Sequence, residues 1–433
     1  QFVGELEFGD LSIDFRGTYA NSQRESPYER SISYRYSEAA QDFVNDLRSN
    51  GQFARIAFSS LDDNVYAGSA DVSYRVPVAM PLSVSAGYAY YKNDRSATRR
   101  DFRYTPLTAL PFAVTQQRPD YLLSDFNVYN YDIVISDVSG SAGVAAYEAD
   151  LEIHAGYVQL EAELFPRLRS TVGVRYEDGV QRVTPLDLFG LGGGDVIPTM
   201  IANDYFLPAA TVTWNFVDDM QLRLHASKTL ARPQFRALAP QQYQDTDSDR
   251  TFIGNQFLTD TTLFNAEARY EWYISRDDRL SVAGFYKKLD RPIESVAFTQ
   301  GGTFFTTFAN APGADLYGVE VEAQKAVGLS GLGGDFFASR RLMLIGNYTY
   351  SESSISVGPN DTTIPVGTGG QPAPASDYFV DGASLTGQSK HLVNLQVGLE
   401  DEDRLSQQTL LLSYASRRVT NRGPSGQPDL FEE

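Results

Sequence analysis

The sequence predicts an all-β chain, specifically an antiparallel transmembrane β-barrel with about fourteen spanning strands. Three observations carry that reading. Apolar and polar residues alternate along almost the whole chain, short turns alternate with long connections, and aromatic residues are in excess.

The alternation is clearest in Leu11–Tyr19, where every odd position except Gly17 is apolar or aromatic and the even positions are Ser, Asp, Arg and Thr. It recurs in Ala70–Val76, in Val158–Leu164 against Gln159, Glu161 and Glu163, and in Ala210–Phe216 against Thr211, Thr213 and Asn215. Leu222, Leu224 and Ala226 oppose Arg223, His225 and Ser227. Ala266–Ile274 opposes Glu267, Arg269 and Glu271, and Tyr317–Ala323 opposes Glu320 and Glu322. A period of two puts the two residue classes on opposite faces of a strand. Runs of nine or more residues suit a tilted strand crossing hydrocarbon better than a short sandwich strand.

Short polar turns fall at Gly9-Asp10, Pro77–Pro81, Pro166-Arg167, Asp218-Asp219, Arg276–Arg279, Gly328–Arg340 and Glu400–Arg404. Long segments lie between them, among them 92–146, 177–203, 232–262 and 351–388. Seven short turns on one side and long loops on the other give about fourteen strands, the pattern of outer-membrane barrels. The chain has 26 Tyr and 26 Phe. Tyr19, Tyr88, Tyr90, Tyr176, Trp214, Phe216, Trp272, Tyr348, Tyr350 and Tyr414 share the apolar face, as rings at a membrane–water boundary would.

Composition closes other routes. The chain of 433 residues has 55 acids against 36 Lys and Arg, a net charge of −19, which disfavours nucleic acid as a partner. There is no cysteine and only three scattered histidines, His154, His225 and His391, so thiolate and histidine metal sites are not expected. No stretch is apolar enough for a membrane-spanning helix. No nucleophile, metal or phosphate-loop motif appears, so neither an enzyme nor a cofactor is expected. Gly190–Gly194 lacks the Lys-Ser/Thr of a phosphate loop and reads as a turn.

Two loops hold candidate ligand residues. Segment 92–146 sets Tyr121, Tyr129 and Tyr131 among Asp125 and Asp132, with Phe102, Tyr104, Phe126 and Asn127 nearby. Flat rings beside acids and amides suit stacking on a sugar face with hydroxyls bonded at its edge, although a solvated loop with its own aromatic cluster is the simpler alternative. Asp245, Asp247 and Asp249 resemble the start of a calcium loop, but Arg250 and Gln256 stand where an EF-hand needs Gly and Glu, so an acidic surface loop is the default.

Four ordered segments then carry a family resemblance. Ser227–Phe235 followed by Leu238-Ala239-Pro240 resembles a strand-to-loop motif of TonB-dependent outer-membrane receptors, close to those of Caulobacter and Xanthomonas type. Ala283–Leu289 leading to Ile293-Glu294, Ala309-Asn310-Ala311 before Tyr317–Glu320, and Leu385–His391 before Asn394 agree in order. The resemblance implies a 22-stranded barrel with an N-terminal plug that meets TonB. On that basis residues 1–433 are an interior part of the barrel, lacking the plug and terminal strands. Partners would be the TonB complex through the plug, a small nutrient, and the lipid and lipopolysaccharide of the bacterial outer membrane. Glu161, Arg223, Glu267, Arg269, Glu320 and Glu322 would face the plug or its water layer. A carbohydrate is slightly favoured over a ferric siderophore, because the acidic balance argues against an anion. The main alternative is a complete 14-stranded porin or fatty-acid-type channel, closed by Phe2–Phe8 against Arg404–Val419. An outer-membrane hydrolase would need acid, base or nucleophile groups gathered at one rim.

Overall fold

The computed structural model describes residues 1–49, 51–139, 144–187, 198–245, 250–300, 303–401, 406–423 and 427–432. Fourteen strands form one antiparallel meander in chain order: β1 (Phe2–Phe8), β2 (Leu11–Ser33), β3 (Phe53–Val76), β4 (Leu82–Pro106), β5 (Ala146–Phe165), β6 (Leu168–Leu186) and β7 (Thr199–Val217), then β8 (Met220–Ala231), β9 (Thr261–Tyr273), β10 (Arg279–Asp290), β11 (Gly313–Gly328), β12 (Arg340–Ser356), β13 (His391–Asp401) and β14 (Ser406–Ala415). Each strand pairs with its sequence neighbour, as short hairpin turns require. β1 pairs with β2 and β14 with β13, so the β1–β14 closure demanded by a self-contained pore is not formed among the described residues.

The strands are longer than the period of two suggested, reaching 25 residues in β4. At about 3.3 Å per residue such a strand runs about 80 Å, far beyond the hydrocarbon. Segments read as loops at 92–106, 177–186, 199–203 and 351–356 are strand instead. Their physical signature changes with height, because the two faces exchange polarity along one strand. At membrane level Val158, Leu160 and Leu164 of β5 point outward and Tyr157, Gln159 and Glu161 inward. Higher up, Glu148, Asp150 and Glu152 point outward, and Tyr147, Ala149 and Leu151 inward. A single alternation rule with fixed faces misses that exchange.

The exchange is marked by rings. Cross-strand register carries Tyr19 to Tyr66, Tyr90 to His154 and Tyr176 to Phe206, then Tyr286 to Tyr317 and Tyr350 to His391. Ring centroids stand 5.1 Å apart for Tyr19–Tyr66 and 5.0 Å for Tyr176–Phe206. A second band of Tyr74, Trp214, Phe216, Tyr270 and Trp272 sits near the short turns. Tyr66 to Tyr74 and Phe206 to Trp214 are each eight residues, about 26 Å along a strand. The two bands enclose the lipid-facing zone.

The inner face is polar and close-fitted at membrane level. Tyr157 lies across Gly87 to donate a 2.7 Å hydrogen bond to Asp71. A Cβ on Gly87 would stand 2.3 Å from Asp71 Oδ1 and 2.5 Å from Tyr157 Cε1, so only glycine leaves this path open. Arg269 bonds Glu267 at 3.0 Å and Glu320 at 3.2 Å, and Arg223 meets Glu271 at 3.4 Å.

The chain beyond β14 is not plain loop. Arg418–Asn421 pairs with Leu430–Glu432, and Arg422 bonds into the Ile293–Gln300/Thr303–Asn310 hairpin, an outer element between β10 and β11. Among the described residues no helix is long and apolar enough to cross a membrane; the helices have three to six residues.

Candidate functional site

The site is built by the connection between β8 and β9, which turns inward over the wall. Pairing of β8 stops at Ala231, and Pro233, which has no amide hydrogen, follows two residues later. Arg232 reaches past β7 to Glu177 of β6, a contact between side chains 12% and 10% exposed. Its guanidinium lies on Gly179, where a Cβ would stand 2.4 Å from Nη2. Gln181 Nε2 donates to the Pro233 carbonyl at 2.8 Å. The motif read only as a strand end is therefore also a clamp.

The clamp delivers α4 (Phe235–Leu238) onto the inner face above the ring band. Phe235, Ala237, Leu238, Ala239 and Leu258 pack with Ala97, Tyr147, Ala149 and Val183. These apolar inner positions are the partners for which the polarity exchange exists, since burying them removes that surface from water.

Beside this core is a cavity of about 370 Å³ lined by Arg24, Arg95, Arg99 and Arg236 with Leu61, Tyr147, Gln234, Gln241 and Tyr243. Two of the arginines are neutralised. Arg95 forms a bidentate pair with Asp63 at 3.0 Å, and Arg99 meets Glu29 at 2.9 Å and Asp101 at 3.0 Å. Arg236 bonds the neutral Gln234 side chain at 2.9 Å and lies 5.7 Å from the Tyr243 ring centroid. Arg24 reaches Ser26 at 3.5 Å. Neither Arg24 nor Arg236 has a carboxylate partner among the described residues. Burial pushes the Tyr147 phenol above its ordinary range, against the pull of Arg95. Two guanidiniums without a carboxylate partner among the described residues thus stand at the cavity with a phenol and two amide side chains.

The sequence-derived candidates lie elsewhere. The β4–β5 connection folds as α1 (Phe112–Thr115), α2 (Pro119–Leu122) and α3 (Asp125–Asn130). Tyr121, Asp125, Tyr129 and Asp132 are exposed, Tyr129 at 83%, and Asp132 has φ +48°. Tyr131 is half-buried against Leu47, Val114, Leu122 and Ile133. None of the five lines the cavity. Asn127 is buried, its amide donating to Gln117 Oε1 and the Tyr121 carbonyl at 2.7 Å each. Asp245 ends a short strand (Gln242–Asp245), while Asp247 and Asp249 lie outside the described residues.

The arginine pair Arg95/Arg99 was missed because 92–106 reads as loop when faces are held fixed. Continuing the β4 register from Ser85 and Gly87 puts both arginines on the inner face. Arg24 and Arg236 meet only through tertiary folding, and no sequence spacing reports that.

A fourteen-stranded antiparallel meander with two aromatic bands and an infolded loop defines an outer-membrane barrel of the receptor type. Residues 5–429 match the family described as TonB dependent receptor-like, beta-barrel, and the chain belongs to that family, whose members lie in the outer membrane. The siderophore receptor PiuA from Acinetobacter baumannii is similar at TM-score 0.59 and 11% identity, covering 97% of this chain and 55% of that one. The ferric citrate transporter FecA, in its unliganded form, gives 0.56 at 13% identity, covering 99% and 51%. The copper transporter OprC gives 0.55 at 12% identity, covering 94% and 49%. At these identities the likeness is one of fold, and the chain spans about half the length of each. No curated protein matches it.

Proposed function

We propose that the chain is the barrel portion of a receptor for energy-coupled uptake of a scarce, small, anionic nutrient, working with TonB through a plug domain. The observation that carries the ligand class is the pairing of Arg24 and Arg236, without carboxylate partners among the described residues, in the cavity beneath α4. A guanidinium offers parallel donors to carboxylate, catecholate or phosphate oxygens, and such charge-assisted bonds are the strong ones.

The carbohydrate preference drawn from the 92–146 aromatics gains no support from the relatives, which are named for a siderophore, ferric citrate and copper. The acidic whole-chain balance argues against an anion, and the local charge at the cavity argues for one, because the cavity gathers arginines that the average hides. Transport with no chemical conversion of the ligand is the role this arrangement supports.

The reading is tested by uptake of labelled ferric citrate, a ferric catecholate and a neutral oligosaccharide in cells carrying the whole receptor, with and without TonB. Uptake of an anionic chelate that stops without TonB is expected. Oligosaccharide uptake alone, or anion uptake indifferent to TonB, contradicts it.

A further inference from the structure

Three arginines of the inner face are held by one recurring contact. Arg99 Nε donates to Asp101, Arg175 Nε to Glu177 and Arg269 Nε to Glu267, each at 3.0 Å. Each partner is a carboxylate two residues away, on the same face of the same strand, where a period of two places it. Arg236 repeats the contact with one change. Its Nε donates at 2.9 Å to a side chain two residues away, but that side chain is the amide of Gln234. The bond is kept and the negative charge is left out.

Local structure makes Gln234 available for this contact. It precedes α4 in an extended conformation, at φ −68° and ψ 149°, and its side chain makes no capping bond to the helix. A residue at this position ordinarily uses a short side chain to accept from the first free amides of the helix. The glutamine is instead fixed through its neighbours. Gln181 holds the Pro233 carbonyl before it, and Phe235 after it is buried, with Arg95 over its ring at 5.3 Å.

The polarity of the amide follows from its partner. An arginine Nε–H can only donate, so Gln234 Oε1 faces Arg236, and Gln234 Nε2 is left with two donor hydrogens. The guanidinium keeps the edge formed by Nη1 and Nη2, which has no carboxylate partner among the described residues and suits a bidentate acceptor. Gln234 and Arg236 both line the cavity, and both are exposed. In the same cavity Arg95 gives Nε and Nη2 to the two oxygens of Asp63, at 3.0 Å each. Both arginines are thus gripped through Nε, one with its charge cancelled and the other with its charge kept.

We propose, resting on the anion uptake proposed above, that Gln234 is the specificity-determining residue of the cavity. It aims Arg236 and leaves the arginine's charge for the ligand, and its own Nε2 hydrogens add donors to the same anion.

The test measures equilibrium binding of ferric citrate and of a ferric catecholate to the whole receptor purified in detergent. Wild type is compared with Gln234→Glu and Gln234→Met, each checked for native heat-modifiable mobility. Gln234→Glu keeps the shape and the bond to Arg236 and adds the missing charge. At neutral pH it should bind the chelate roughly tenfold more weakly than wild type. That deficit, taken against wild type at the same pH, should close as pH falls through the carboxylate range and the new carboxyl takes up a proton. Gln234→Met loses the bond without adding charge and should weaken binding by about threefold at every pH. A deficit in Gln234→Glu no larger than in Gln234→Met, or one that does not change with pH, overturns the proposal while the anion reading stands. Wild type that binds neither chelate overturns both.

Discussion

Glu294 Oε2 accepts a 2.9 Å hydrogen bond from Arg422 Nη2 across 128 residues of chain, with both side chains 3% exposed. Glu294 also accepts from the Thr386 amide at 3.0 Å, and Arg422 reaches Asp429 at 2.8 Å and the Ser384 carbonyl. Three outer segments, from β10–β11, β12–β13 and beyond β14, are thereby tied at one buried point. Removing Arg422 leaves the Glu294 carboxylate buried with only the Thr386 donors, whereas removing the Glu294 charge leaves Arg422 its Asp429 partner. Arg422→Met should therefore weaken the junction by about 3–5 kcal/mol and Glu294→Gln by less, while the double replacement by methionines should recover most of the Arg422→Met loss. Hydrogen exchange at Arg418–Asn421 and Ile293–Gln300 reads this directly.

The same junction has a pH dependence with a definite sign. Burial pushes the Glu294 carboxyl above its ordinary range, outweighing the opposing pull of Arg422 and Thr386. The folded junction then holds a proton that the opened one releases, so its stability falls as pH rises from the ordinary carboxylate range through the raised value. Opening free energies from hydrogen exchange, corrected for intrinsic rates, should decrease with rising pH in that window. An increase would show that Arg422 prevails over burial.

The clamp makes a steric prediction. Gly179→Val should displace Arg232 from Glu177 and release the 232–260 connection, seen as faster protease cutting between β8 and β9 with the strands intact. Arg232→Ala should produce the same cutting without the clash. On membrane-level β4, Gly87→Ala should lower thermal stability by forcing Tyr157 away from Asp71.

The lipid-facing zone is tested by a neighbouring pair. Val212 lies on the outward face between Phe206 and Trp214, and Thr213 faces inward. Val212→Arg should cost roughly 2–4 kcal/mol in a bilayer, whereas Thr213→Arg should be tolerated. Equal costs in a refolding titration would contradict the assigned faces.

Much of this was legible in the sequence, and the limits are specific. Alternation located the membrane-level strands, and six of the seven short turns fall where Gly, Pro and Asp clusters put them; the seventh, Glu400–Arg404, lies mostly outside the described residues. Pro233 ended a strand as its missing amide requires. The extracellular halves were misread as loop because their alternation runs with the faces exchanged, as Tyr147/Glu148 against Val158/Gln159 shows. The strand expected over Arg404–Val419 ends at Ala415, and Arg418–Asn421 pairs instead with Leu430–Glu432, strands too short to show a period. The clamp Arg232–Glu177 and the cavity pair Arg24/Arg236 join residues 55 and 212 positions apart, and such meetings are set by tertiary packing alone.

On the function proposed above, the cavity beneath α4 selects an anionic solute. Its most direct measurement is equilibrium binding of ferric citrate, a ferric catecholate and a neutral oligosaccharide to the whole receptor, beside the Arg24→Gln/Arg236→Gln variant. An anionic chelate is expected to bind the wild type and to bind the variant roughly tenfold or more weakly, as loss of charge-assisted hydrogen bonds requires. Binding of the oligosaccharide alone, or anion affinity unmoved by the double substitution, would contradict it.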